Sequence, residues 1–256
     1  MALIRMDHLA ENLKVNLPLY IIVPEPGAMR GIPVRERKVL YLLHGLSDDA
    51  SAWSRFSTIE ILARRYGLVV VMPSVGRSFY IDQPNGQAYF TYLTQELPRY
   101  LEDVFGIQPG REKTLIAGLS MGGYGAFKAA LLRPERYFAA ASFSGVLSMD
   151  IWAAHASDQR QTEFELLFGD LNRLPGSEHD PSVWLERAAQ NKSVLPRLFA
   201  ACGRQDDLLP TNLQFKSRCQ SLGVALDYHE EDGRHDWPFW DRQIQRFLGM
   251  VLEPEE

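Results

Sequence analysis

Short apolar runs alternate with helical patterns almost from one end of this chain to the other. Residues 68–72 are five consecutive apolar positions stopped by Pro73, too short for a helix and expected of a central strand buried on both faces. Residues 38–43, 114–117, 138–143, 195–201 and 225–230 read as further strands, with 2–9 and 13–23 as an antiparallel edge pair. Residues 90–105 place Leu93, Leu97, Leu101, Val104 and Phe105 on one helical stripe, and Pro98 inside it should kink or split the helix. Ser57-x-x-Glu60 has the form of a capping box opening a helix through Tyr66. Residues 123–132, 211–222 and 238–251 are the remaining clear helices, and the Pro-Gly-rich stretch 24–33 is a turn. Strand and helix in alternation predict a mostly parallel central sheet covered by helices on both faces. Residues 146–191 break the rhythm, mixing aromatics and charges. They read as an irregular cap inserted over the carboxyl edge of the sheet, within a single domain spanning 1–256.

Composition narrows the field. The chain has 256 residues, 46% of them hydrophobic, enough for one domain with a large core. A net charge of −5 with no basic stripe argues against nucleic acid as a partner. No apolar run approaches the ~20 residues of a membrane span, and the apolar start at Met1 is broken by Arg5 and Asp7, too early for a signal peptide. Cys202 ends a predicted strand and Cys219 lies on a helix, so both read as isolated buried thiols. A cytoplasmic location is expected.

The chemistry centres on Gly118-Leu119-Ser120-Met121-Gly122. With ordinary Gly and Ser usage a G-x-S-x-G turns up by chance in roughly one chain of this length in ten, so context decides its meaning. Here it joins a predicted strand to a predicted helix, the setting of a nucleophile elbow whose sharp turn lifts the serine hydroxyl clear of the sheet. A serine hydroxyl needs a base in reach, and the base needs an orienting carboxylate. After the strand 195–201 comes the polar turn Gly203-Arg204-Gln205-Asp206-Asp207, and after 225–230 comes Asp232-Gly233-Arg234-His235. His235 is the candidate base; Asp206 and Asp207 both qualify as the acid, because spacing cannot separate neighbours. His8, His155, His179 and His229 read as surface or structural histidines, and His44 as a brace for its loop. The oxyanion of an acyl-transfer intermediate needs two donors. The backbone N–H groups of Met121 and of Leu46, in the loop His44-Gly45-Leu46-Ser47-Asp48-Asp49, are the candidates, with Gly45 letting that loop fold towards Ser120. Asp48-Asp49 read as caps of a turn or helix, and no ligand set for a metal is apparent. Trp53, Phe79, Tyr80 and Trp237 sit on loops that should converge on Ser120, with Trp152, Phe168 and Trp184 in the cap. Trp53, Trp237 and Gly45 are expected to contact substrate. A small aromatic pocket would accept acetyl to butyryl groups and exclude long chains by volume.

Residues 41–49 (Tyr-Leu-Leu-His-Gly-Leu-Ser-Asp-Asp), Met72-Pro73-Ser74, Gly118–Gly123 and Gly233-x-His235 resemble the putative-esterase (esterase D-like) family of α/β-hydrolases. The likeness is greatest to the bacterial tributyrin and acetyl esterases and thin in the cap. The resemblance implies an α/β-hydrolase fold and hydrolysis of short acyl esters, including acetylated sugars, with no cofactor. Carried over residue by residue, it gives Ser120 as nucleophile, Asp206 and His235 as its partners, and Leu46 and Met121 as oxyanion donors. Cys202-Gly203-x-x-Asp206 matches the family's acid turn, which favours Asp206 over Asp207. A dimer or tetramer would fit the family. Thioester hydrolysis, as in S-formylglutathione hydrolase, and acyl transfer to an alcohol remain open because they use the same three groups. A non-catalytic binding protein on the same scaffold would be expected to have lost one of them, and none is lost here.

Overall fold

The structure, a computed structural model, describes residues 1–25, 32–84, 86–154, 158–190 and 194–254. The central part of the 24–33 turn, His155, and the end of the 146–191 stretch therefore lie outside the described residues. Among the described residues eight strands form one sheet: β1 (Ala2–Ala10), β2 (Val15–Val23), β3 (Val39–Leu43), β4 (Val69–Pro73), β5 (Thr114–Leu119), β6 (Ala139–Phe143), β7 (Arg197–Gly203) and β8 (Asp227–Glu231). Their order is β1-β2-β4-β3-β5-β6-β7-β8. β1 and β2 pair antiparallel at one edge, and everything from β4 to β8 is parallel. This is the mostly parallel, helix-covered sheet expected from the pattern, and it agrees with the fold that the resemblance implies.

Among the described residues ten α-helices cover the sheet: α1 (Ala52–Phe56), α2 (Ile59–Arg65), α3 (Tyr89–Thr91), α4 (Leu97–Phe105), α5 (Met121–Leu132), α6 (Met149–Ala154), α7 (Asp158–Phe168), α8 (Pro181–Ala189), α9 (Leu209–Leu222) and α10 (Trp237–Val251). The strand period of two sorts the apolar residues between two cores. Val39, Tyr41, Val69, Val71 and Ile116 point to the face covered by α4, α5, α8 and α9, where they meet Leu97, Phe127, Trp184 and Phe215. Leu40, Leu42, Val70, Met72 and Leu115 point the other way, to Ile59 and Leu62 of α2 and Phe239, Ile244 and Phe247 of α10. Because both faces are filled, the central strands need no polar alternation. Their sequences accordingly read as continuous apolar runs.

Two local expectations are refined. The 90–105 helix is split, as Pro98 requires, by a π-helical turn at Tyr92–Glu96. Pro98 has no N–H to return to the Thr94 carbonyl four residues back, and Arg136 donates to that carbonyl instead. The capping box at Ser57 does not form. The Ser57 hydroxyl turns back to the Trp53 carbonyl, and α2 starts after Thr58, whose N–H and hydroxyl both donate to Asp241 of α10, at 2.7 and 2.8 Å. A long-range carboxylate has taken the place of the local cap. Between β6 and β7, the described residues of the stretch expected to be irregular hold the α-helices α6 to α8. No helix among the described residues is long and apolar enough to cross a membrane.

Candidate active site

In a parallel sheet every strand ends at the same edge, so the loops after β3, β4, β5, β6, β7 and β8 gather there. The turn from β5 into α5 leaves Ser120 at φ 53° and ψ −119°. This backbone is strained for any residue with a side chain. It persists because its surroundings fix it. The Ser120 N–H donates to the Phe143 carbonyl at 2.8 Å, and its own carbonyl accepts from Tyr124 at the start of the helix. The flanking glycines are obligatory: a Cβ on Gly118 would fall 2.4 Å from the Gly122 carbonyl, and one on Gly122 would fall 2.5 Å from the Leu43 oxygen.

Ser120, Asp206 and His235 line one cavity of about 550 Å³, together with Gly45, Leu46, Asp48 and Trp237. His235 Nδ1 bonds the Asp206 carboxylate at 3.0 and 3.2 Å. No hydrogen bond links Ser120 to His235 among the described residues. The Asp206 side chain is fully buried. Burial alone would raise its pKa, but the His235 ring, the Ser144 hydroxyl and the Leu208 N–H hold it below the usual carboxylate value. Asp207 also borders the cavity but is exposed. The turn thus directs one carboxylate inward and its neighbour to solvent, a distinction that spacing could not make.

The backbone N–H groups of Met121, first residue of α5, and Leu46 donate to no acceptor among the described residues. His44 braces the Leu46 loop as expected. Its Nε2 accepts from the Val75 N–H at 3.1 Å, which leaves Nδ1–H to donate to the Gly45 carbonyl at 2.7 Å. Burial lowers its pKa, so the ring stays neutral. Asp49 caps the following turn through the Ser51 N–H and hydroxyl. Asp48 instead faces the cavity, where burial pushes its carboxyl above the ordinary value despite the opposing influence of the nearby Gly45 backbone.

One expected contact residue is displaced. Trp53 is 1% exposed and does not line the cavity. Its indole donates to the Leu43 carbonyl, and its ring packs edge-on behind Trp237 at 5.1 Å. Trp53 lies on α1, whose first residues are buried in the sheet-facing core, and this turns the ring inward. Trp237, Phe79 and Trp152 do reach the cavity, whereas Tyr80, Phe168 and Trp184 are buried. Sequence reasoning missed Trp240, Phe164, Val146, Arg160 and Leu208, which also line it. Trp240 could have been found one helical turn after Trp237; the others carry no local signal. Cys202 and Cys219 are buried and unpaired. No cluster suited to a metal ion occurs among the described residues.

The family model described as Putative esterase matches residues 11–250. The chain belongs to that family. An acetyl esterase of Caldicellulosiruptor saccharolyticus is 32% identical over 254 residues, covering 95% of this chain and 96% of the relative. The structure of FphF, a fluorophosphonate-binding serine hydrolase of Staphylococcus aureus with substrate bound, matches with a TM-score of 0.89 at 30% identity over 98% of both chains. The S-formylglutathione hydrolase of the same organism matches with a TM-score of 0.87 at 30% identity, over 98% of this chain and 99% of that one. This member of the esterase family is a serine hydrolase acting on small-molecule esters.

Proposed function

We propose that this esterase hydrolyses short-chain acyl esters, acetyl to butyryl and including acetylated sugars, through an acyl-Ser120 intermediate. The observation that carries this reading is a strained serine sharing one cavity with a histidine bonded to a buried, ionised aspartate. In the proposed reaction, Ser120 Oγ attacks the ester carbonyl while His235 Nε2 takes its proton. Asp206 holds the Nδ1–H tautomer and stabilises the imidazolium. The oxyanion is received by the N–H groups of Leu46 and Met121, which are free for it. Collapse breaks the C–O bond, and His235 protonates the leaving alcohol. Water, activated by the same imidazole, then releases the acid and restores Ser120.

The preference for small acyl groups is supported by the aromatic side chains of Phe79, Trp152, Phe164 and Trp237 around the cavity. Each buried methylene contributes about 0.8 kcal/mol only while there is room for it. We take the chain as one hydrolase domain in which residues 146–191 act as a cap, a reading supported by Val146, Trp152, Arg160 and Phe164 at the cavity. Two unpaired buried thiols favour a cytoplasmic location.

Initial rates on p-nitrophenyl acetate, butyrate, octanoate and palmitate, beside Ser120→Ala, test the proposal. Rates that peak at acetate or butyrate and vanish in the variant support it. A peak at octanoate or longer overturns the short-chain assignment. Faster turnover of S-formylglutathione than of any oxygen ester would favour the thioesterase reading, and acyl transfer to added alcohol in preference to water would favour a transferase.

A further inference from the structure

Behind the imidazole lies a second layer of polar groups that the reaction described above does not use. Ser144 follows β6 with φ at 50°, a left-handed backbone unfavourable for a residue with a Cβ. It is fully buried, and its N–H donates to the Ala201 carbonyl at 2.7 Å. Trp240, on the first turn of α10, donates its indole N–H to Ser144 Oγ at 3.1 Å. The same hydroxyl lies close enough to the Asp206 carboxylate and the Cys202 thiol to favour the charged form of each.

The directions of these bonds follow from the groups themselves. An indole N–H only donates and an ionised carboxylate only accepts. Ser144 Oγ therefore accepts from Trp240, which leaves its proton to turn towards Asp206. Burial pushes the Cys202 thiol up, so it keeps its proton and can be the second donor to the serine oxygen. Trp240 also meets the His235 ring edge to face, at 4.9 Å and 90°. One indole touches both ends of a chain that runs from Ser144 through Asp206 to His235.

We infer that Ser144 and Trp240 are positioning residues for the catalytic pair: Ser144 fixes the Asp206 carboxylate, and Trp240 fixes Ser144 while flanking the imidazole. A glycine would suit the backbone at 144 better; the hydroxyl is what the strained position supplies. The inference rests on the roles proposed above for Ser120, Asp206 and His235.

The test compares steady-state rates on p-nitrophenyl acetate for wild type, Ser120→Ala, Ser144→Ala, Trp240→Phe and the Ser144→Ala/Trp240→Phe double variant. Ser144→Ala should lower kcat about tenfold, the effect of one charge-assisted hydrogen bond, with KM changed less than twofold. Asp206, short of a donor, should hold the imidazolium more tightly, so the acid limb of the kcat/KM profile should move to higher pH. The other ionisable groups around the pair are Asp48, Arg160, Asp207 and Asp236, which line the same cavity, and Cys202 and Tyr228 beside Asp206, and none of them is altered. Trp240→Phe keeps the ring against His235 and removes only the N–H, so kcat should fall less. The double variant should be no worse than Ser144→Ala alone. Wild-type kcat in Ser144→Ala, additive losses, or an unmoved acid limb overturns the inference. If Ser144→Ala does not fold, Trp240→Phe decides: unchanged kcat rejects the chain, and lower kcat at constant KM supports it. Activity that survives Ser120→Ala would instead overturn the reading on which the inference rests.

Discussion

Asp206 and Asp207 have the same chemistry and adjacent positions, yet only one is buried against His235. Asp206→Asn should therefore lower kcat on the order of 10³–10⁴-fold by disfavouring the productive tautomer, while Asp207→Asn stays within about threefold of wild type. Parallel kinetics on the two variants check this, and equal losses would reject the assignment. Asp48 and Asp206 also differ in the sign of their effect on stability. Asp206 titrates below the ordinary carboxylate value when folded, so it stabilises at neutral pH and that contribution is lost as the solution is acidified. Asp48 titrates above it. Its contribution is fully present below the unfolded pKa of about 3.9 and is lost as pH rises through the folded value. Asp48→Asn should accordingly raise Tm at pH 7 to 8, with the gain disappearing below about pH 4. Thermal melts across that range would show it, and a gain independent of pH would mean that packing, not charge, is responsible. Ser120 and His235, which the structure brings to one cavity, were legible as candidates because the elbow and the last strand-to-helix loop have local signatures. Ser144, Trp240 and the cavity-facing side of Asp48 had none, because burial and direction depend on the assembled sheet.

Secondary structure was legible where a pattern is repeated over many residues and less so where one side chain decides. The central strands announce themselves as apolar runs because helices cover both faces. The start of α2 misleads, since Ser57 and Glu60 have the right spacing but Asp241, 183 positions away from Thr58, supplies the cap. No local rule could see that partner. Asp241→Ala should destabilise the protein by about 1–2 kcal/mol, the usual effect of losing an N-cap, because it strips both bonds from Thr58 at once. Chemical denaturation of this variant measures it, with kcat expected to stay near wild type. A change under about 0.3 kcal/mol would show that water replaces the carboxylate freely. Helices α6 to α8 between β6 and β7 were missed for a related reason. Their charged and apolar residues do not form a stripe in sequence, but Phe164, Phe168 and Trp184 each find aromatic partners in space.

At the scale of the molecule, the site depends on how the loop after β4 ties the region between β6 and β7 to the rest of the sheet edge. Phe79, held at φ 51°, packs against Trp152, Phe164 and Phe168. Two residues earlier, Arg77 forms a two-pronged ion pair with Glu163 of α7 and reaches the Leu46 carbonyl at 3.4 Å. One side chain thus joins α7 to the loop that offers the Leu46 N–H to the cavity. The pair is partly exposed, so its worth is no more than about 1 kcal/mol, which limits the effect on rate to about fivefold. Arg77→Ala should lower kcat/KM for p-nitrophenyl butyrate by up to that factor at low ionic strength. If the ion pair is responsible, the difference from wild type should shrink in 1 M salt, where the screening length falls to about 3 Å. A loss that persists unchanged in salt would assign the effect to the Leu46 carbonyl contact instead. No loss at any ionic strength would mean that the aromatic cluster around Phe79 holds α7 in place without help from charge.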